Sequence, residues 1–377
     1  MAFDHYVRSG QKWLRCGYTT GTCAALAAAG AAQYLLTGEA PSSMSLMTPK
    51  GLLVEVPILE PVLGANHARC AVEKDGGDDV DATHGALIVA EVRKCPSGIL
   101  IDGGEGVGRV TRPGLEQPVG EAAINKVPRQ MIAQAVQAQC EQAGYEGGLS
   151  VTISVPGGAD IARRTFNPVL GVEGGISILG TSGVVEPMSD QAIVDTISVE
   201  LHQARANGAD CLILTPGNYG LDFLKENRLH FPGVPLVKYS NFIGEALDLA
   251  GVEGFSQVLL VGHIGKLVKV AGGIMNTHSK WADCRLELFC THAALCGGDT
   301  ALCKALMSAP TTDRAIALLD EAGLRQAVLD SLLDAIQLHL DRRAAGSFQV
   351  GAVVFSNEYG LLGQTDMAKE LLTQWNR

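Results

Sequence analysis

From about residue 166 the chain keeps one rhythm: a short apolar run, a loop of small and polar residues, then a helical segment. Ile176–Leu179 leads through Gly180-Thr181-Ser182-Gly183 to a helix over Gln191–Ala206. Cys211–Leu214 leads through Thr215-Pro216-Gly217-Asn218 to a helix near Leu221–Lys225, and Leu236–Lys238 through Tyr239-Ser240-Asn241 to Ile243–Ala250. Val258–Val261 runs into Gly262-His263-Ile264-Gly265-Lys266. Helices over Arg285–Leu295, Ala315–Glu321 and Arg325–His339, a strand at Val350–Phe355 and a helix over Met367–Trp375 complete the pattern. Strands alternating with helices predict parallel βαβ units. We therefore expect a Rossmann-like, three-layer α/β/α domain over residues 166–377. Ligands of such sheets bind beyond the carboxyl ends of the strands, where each of these loops lies.

Residues 1–165 read differently. Leu14-Arg15-Cys16-Gly17-Tyr18-Thr19-Thr20-Gly21-Thr22-Cys23 precedes an alanine-rich helix, Ala24 to Leu36, that Thr20 or Thr22 can cap and Gly38 can end. Leu52, Val54, Val56 and Ile58 alternate as in a strand. Further strands are expected at 70–75, 85–93, 99–102, 109–111 and 150–155, with a helix over Pro128–Ala143 and a glycine-rich turn at Gly103–Gly108. This order predicts an α+β domain. A chain of 377 residues is too long for one ordinary core, which agrees with two domains.

The formal net charge of −11 argues against a general nucleic-acid binder but leaves room for a local basic patch. No run approaches a membrane span, and the N-terminus, with His5 and Arg8 and no apolar core, is not expected to be a secretory signal. Ten scattered cysteines without a Cys-x-x-Cys pair suit free thiols in a reducing cytosol. Cys284, Cys290, Cys296 and Cys303 recur about every six residues around His292. That period does not keep side chains on one helix face, so we expect buried thiols there and no protein metal site.

Four motifs occur together and in order: Gly17-Tyr18-Thr19-Thr20-Gly21-Thr22-Cys23-Ala24-Ala25, Gly103–Thr111, Asn167–Ser189, and Asn276-Thr277-His278-Ser279 with Ala282-Asp283 beyond it. With them the chain resembles, over nearly its whole length, the CbiD family, the cobalt-precorrin-5B C1-methyltransferases of anaerobic cobalamin biosynthesis. The resemblance implies S-adenosylmethionine as methyl donor, cobalt-precorrin-5B as acceptor and cobalt-precorrin-6A as product. Cobalt then belongs to the substrate. It also implies a first domain similar to the second domain of ribosomal protein S5, ahead of the Rossmann-like one. The partner expectations are the tetrapyrrole, a transient hand-over to neighbouring corrin-pathway enzymes and a homo-oligomer, with neither nucleic acid nor membrane. A cytoplasmic location follows.

Methyl transfer from a sulfonium needs alignment and a dry site more than a protein nucleophile. For the donor the candidates are the small-residue turns: Gly180, Thr181, Ser182, Gly183, Thr215, Gly217, Asn218 and Gly262. These glycines also read as simple turn residues. No acid ends the second strand of the alternating segment, so either Asn218 substitutes, or Glu186 or another acid serves the ribose, or the donor lies elsewhere. A polycarboxylate acceptor calls for cationic and polar donors, and Thr20, Arg109, Arg112, Arg164 and Lys266 are candidates; the four cations read equally as solvated surface charge. His263 and His278 are the candidates for accepting the proton lost from the macrocycle, with Asp283 placed to orient His278, to bind a ligand amine or to start a helix. Two alternatives stay open. One is a nicotinamide-dependent reductase, although no strand–Gly-x-Gly-x-x-Gly–helix unit occurs. The other is a non-catalytic tetrapyrrole carrier.

Overall fold

The computed structural model describes residues 3–376 apart from positions 10, 166, 169, 228 and 230. The chain is mixed α/β and divides into two compact units, Met1–Ser189 and Asp190–Arg377. The division falls later than the rhythm change at 166, a position that itself lies outside the described residues, as does Val169 of the glycine-rich stretch. The reason is strand pairing. Gly175–Ile176 pairs with Gly106–Val107, Val172–Glu173 with Arg109–Val110, and Val184–Val185 with Gly17–Tyr18, all inside the first unit.

The first unit is built on a five-stranded sheet in the order Leu59–Leu63, His67–Glu73, Leu87–Cys95, Gly148–Ser154, Ile99–Gly103. All its pairs are antiparallel except Gly148–Ser154 with Ile99–Gly103. Helix α1 (Thr20–Thr37) packs against this sheet and against helix α2 (Lys126–Ala143). Every residue of α1 from Thr20 to Ala32 is buried, so no polar face is left to solvent. Alanine is the residue that permits this, because it favours the helix and lets neighbouring elements approach closely. Thr19, rather than Thr20 or Thr22, caps α1, its hydroxyl accepting from Thr22 N at 3.2 Å.

The second unit has a five-stranded sheet ordered Leu236–Lys238, Cys211–Thr215, Gln257–His263, Gln349–Ser356, Gly360–Gln364. The first four strands are parallel and the last is an antiparallel edge. Alternate residues feed two cores. Leu212, Leu214, Val258, Leu260 and Ala352 face the larger one, with helices Ile243–Val252 and Arg325–Ala344. Ile213, Leu259, Val261, Val353 and Phe355 face the other, with Asn218–Glu226 and Asp366–Trp375. A sheet covered on both faces needs apolar residues at both alternations, which explains its continuous apolar strands. No helix among the described residues is long and apolar enough to cross a membrane.

Tyr239, just past the edge strand, is fully buried, and its hydroxyl has no hydrogen-bond partner among the described residues. An unmet hydroxyl carries a desolvation cost of about 1–3 kcal/mol. Tyr239→Phe is therefore expected to leave the unfolding free energy unchanged or raise it by about 1–2 kcal/mol in urea titrations. A loss larger than about 1 kcal/mol would reveal a partner for the hydroxyl.

Candidate functional site

In the second unit the strand order reverses around Cys211–Thr215: the next strand in sequence lies on one side and Gln257–His263 on the other. The connecting helices Asn218–Glu226 and Ile243–Val252 accordingly pack on opposite faces of the sheet. This is the topological switch point at which doubly wound sheets bind ligands.

Thr215 ends the first strand, buried, and its carbonyl accepts from Tyr239 N at 2.9 Å. Gly217 precedes helix Asn218–Glu226, whose first turn has no side-chain cap, and a Cβ at Gly217 would stand in open space. Asn218 Oδ1 accepts from Lys238 Nζ at 2.8 Å. Close to Lys238, burial pushes the Glu200 carboxyl upward while the lysine opposes it. Ser240 sits at φ 56°, a left-handed conformation that non-glycine residues rarely adopt, and its carbonyl accepts from Lys266 Nζ at 3.0 Å. Burial, then the neighbouring Lys269, pushes the Lys266 ammonium below its usual range.

His263 ends the second strand. Its Nδ1 accepts from Gly265 N at 3.0 Å and so caps the short turn that follows. Only an unprotonated Nδ1 can meet that amide, so the ring proton sits on Nε2. His263 is thus arranged as a donor, and taking up a proton would break its cap. Burial holds the ring below the ordinary 6.5, opposed by Asp313. Asp313 in turn accepts from Ser356 Oγ at 2.6 Å. Asp313 and Ser356 were not among the expected site residues. Ser356 could have been found, since it ends the strand beside His263. Asp313 lies in the first turn of helix Thr312–Glu321, and nothing in the sequence marks it as facing His263.

The other expected residues do not gather there. His278 is exposed, and its Nδ1 accepts from Lys280 N at 3.0 Å. Asp283 forms an ion pair with Arg285 at 2.5 Å and makes no contact with His278. The expected His278–Asp283 pairing is therefore corrected. Gly262 is buried where Leu267 packs, a Cβ there lying 2.9 Å from Leu267 Cγ. In the first unit, the Arg109 guanidinium is committed to Asp102 at 2.8 Å and to the Gly103 carbonyl. Arg112 lays its stem over Gly171, and Arg164 is exposed. Glu186, offered for the ribose, is paired with Lys50.

The Gly180–Gly183 turn does not begin a strand–turn–helix unit of the parallel sheet. It closes over the start of α1. Thr19 N donates to Gly183 O at 3.1 Å, Gly21 N to Leu179 O at 3.1 Å, and Thr22 Oγ1 to Gly183 O at 2.7 Å. Leu179 N donates to Thr20 Oγ1 at 2.9 Å. Ser182 turns its hydroxyl back onto Val184 O, and Thr181 is exposed. Gly180 has φ 127°, and a Cβ there would meet Thr19 Cβ at 2.4 Å. All ten cysteines are free, and no cluster of His, Cys, Asp and Glu among the described residues could hold a metal ion. His292 bonds Ser331 Oγ at 2.8 Å.

Two consequences can be measured. Gly180→Ala is expected to destabilise the apo-protein by at least about 2 kcal/mol, because strain and overlap act without any ligand. An unchanged melting temperature would return this turn to the list of ligand cradles. For His263 the folded ring binds its proton less readily than the unfolded one. Its contribution is therefore intact above the ordinary 6.5 and is lost as the pH falls through that value toward the lower folded one. His263→Asn keeps a capping oxygen but removes the titration. Its stability should fall less steeply than the wild type's below pH 6.5; parallel profiles would contradict this.

The family model described as CbiD matches residues 7–187, and the one described as CbiD, C-terminal domain, matches 276–366. A protein of Ruminiclostridium cellulolyticum is 45% identical over 378 residues, covering 98% of each chain. One of Alkaliphilus metalliredigens is 41% identical over 371 residues, covering 98% of this chain and 97% of its own. Both relatives bear the name cobalt-precorrin-5B C(1)-methyltransferase. A crystal structure described as a cobalamin biosynthesis protein (cbiD) from Archaeoglobus fulgidus is 28% identical, with a TM-score of 0.39, covering 71% of this chain and 83% of its own.

Proposed function

The chain belongs to the CbiD family, and from that membership we infer that it methylates C1 of cobalt-precorrin-5B in cobalamin biosynthesis. The observation that carries this is the 45% identity, over 98% of both chains, to a relative of that name. We propose S-adenosylmethionine as the donor and the switch point of the second unit as its site. We also propose the Rossmann-like description for this unit, which parallel strands with helices on both faces support, and the S5-like description for the first. The free thiols support a reducing, cytoplasmic location.

The residues at the switch point fit such a donor. When bound, it supplies a methyl carbon activated by a sulfonium whose sulfur keeps the bonding pair. The uncapped amides at Asn218 and the open space at Gly217 receive a small polar ligand without steric cost. Asn218, held by Lys238, offers its side-chain amide as a polar partner at the end of the first strand of this unit. The Nε2–H of His263 and the Asp313 carboxylate bring one donor and one acceptor to the same edge. Lys266, with no carboxylate partner among the described residues, is the cation available to an anionic acceptor.

The direct test is anaerobic incubation with cobalt-precorrin-5B and methyl-labelled donor. Label at C1 in the NMR spectrum of the product is expected; label elsewhere, or none, would overturn the assignment. Asn218→Ala should weaken binding of S-adenosylhomocysteine about fivefold in calorimetry, the loss of about one hydrogen bond. An unchanged affinity would move the donor away from the switch point.

A further inference from the structure

Besides the switch point, one loop of the second unit combines a dense set of backbone bonds with an exposed aromatic face. Lys269 is only 2% exposed, and its ammonium donates to Thr277 O at 3.1 Å and to Ala282 O at 2.8 Å. One buried cation thus ties both ends of the loop. Thr277 N is fixed to Asn241 O at 2.9 Å, His278 N to Asn276 Oδ1 at 3.1 Å, and Trp281 N to His278 O at 3.0 Å. Such a loop loses little further freedom when it binds a ligand. At its tip Trp281 is 64% exposed, and Lys280 Nζ lies 5.5 Å from the centre of its ring. Lys280 also reaches Asp190 at 3.1 Å. At the tip Lys280 pairs with Asp190 and Arg285 with Asp283, while the Lys269 ammonium stays buried behind them.

We propose that Trp281 is a substrate-binding residue: its ring stacks on the face of the tetrapyrrole acceptor while Lys280 meets a peripheral carboxylate. The inference rests on the acceptor named under Proposed function. A macrocyclic polycarboxylate suits an aromatic platform with a cation beside it, because ring contact and charge pairing act together. The methyl donor suits it less, since its sulfonium is itself cationic and would sit beside the Lys280 ammonium.

The test is titration of the full chain with cobalt uroporphyrin, a stable polycarboxylate tetrapyrrole, followed by its absorption shift. Trp281→Ala is expected to raise the Kd about tenfold, in the range of one lost stacking contact, and Trp281→Phe to retain most of the affinity. Binding of S-adenosylhomocysteine should be unchanged in both. The exposed side chain makes both variants foldable, which circular dichroism checks. Equal tetrapyrrole affinity in wild type and Trp281→Ala overturns the inference and leaves the methyltransferase reading standing. So does a loss confined to S-adenosylhomocysteine, which would make Trp281 a donor contact. No binding of this tetrapyrrole by the wild type also overturns the Trp281 inference, while the methyltransferase reading stands or falls on label at C1.

Discussion

The burial of strand Gln257–His263 on both faces governs the second unit. Val258 and Leu260 point into one core, Leu259 and Val261 into the other, and each core is worth keeping dry at about 25 cal/mol per Å² of apolar surface. Helices must therefore cover both sides of the sheet. The strand ends are the only part of such a sheet that polar loops can occupy without uncovering the core. Thr215, Asn218, Ser240, His263 and Ser356 come together from distant parts of the chain for this reason. The chemistry collects at an edge because the faces are taken.

That physics also decides what could be read in advance. Doubly buried strands have continuous apolar runs, and Cys211–Thr215, Leu236–Lys238, Gln257–His263 and Gln349–Ser356 were legible almost to the residue. The positions of Thr215, Asn218, His263 and Lys266 followed from the same runs. The antiparallel edge Gly360–Gln364 and the hairpin of Tyr6–Ser9 with Lys12–Arg15 were not seen, because half-exposed strands have weaker patterns. Function was legible through motifs and not through geometry: the four motifs named the family, while several of their residues proved to be busy with one another.

The glycine-rich stretch 167–189 is the clearest case. Its strands are two residues long, too short to show a period, and its partners are backbone atoms about 65 to 160 positions earlier. A turn that satisfies the amides of a distant helix and one that satisfies a ligand draw on the same residues. Gly180 and Gly183 meet threonines, and the sequence alone does not distinguish a threonine from a ligand.

The seam between Gly17–Tyr18 and Val184–Val185 has a temporal consequence. During synthesis α1 emerges early, yet the carbonyls of Leu179 and Gly183 that receive its first amides are made more than a hundred residues later. The first unit cannot close while its own last residues are still inside the ribosome. The start of its alanine-rich helix must wait unclosed, the kind of long-range pairing that makes folding slow and exposes a nascent chain to chaperones.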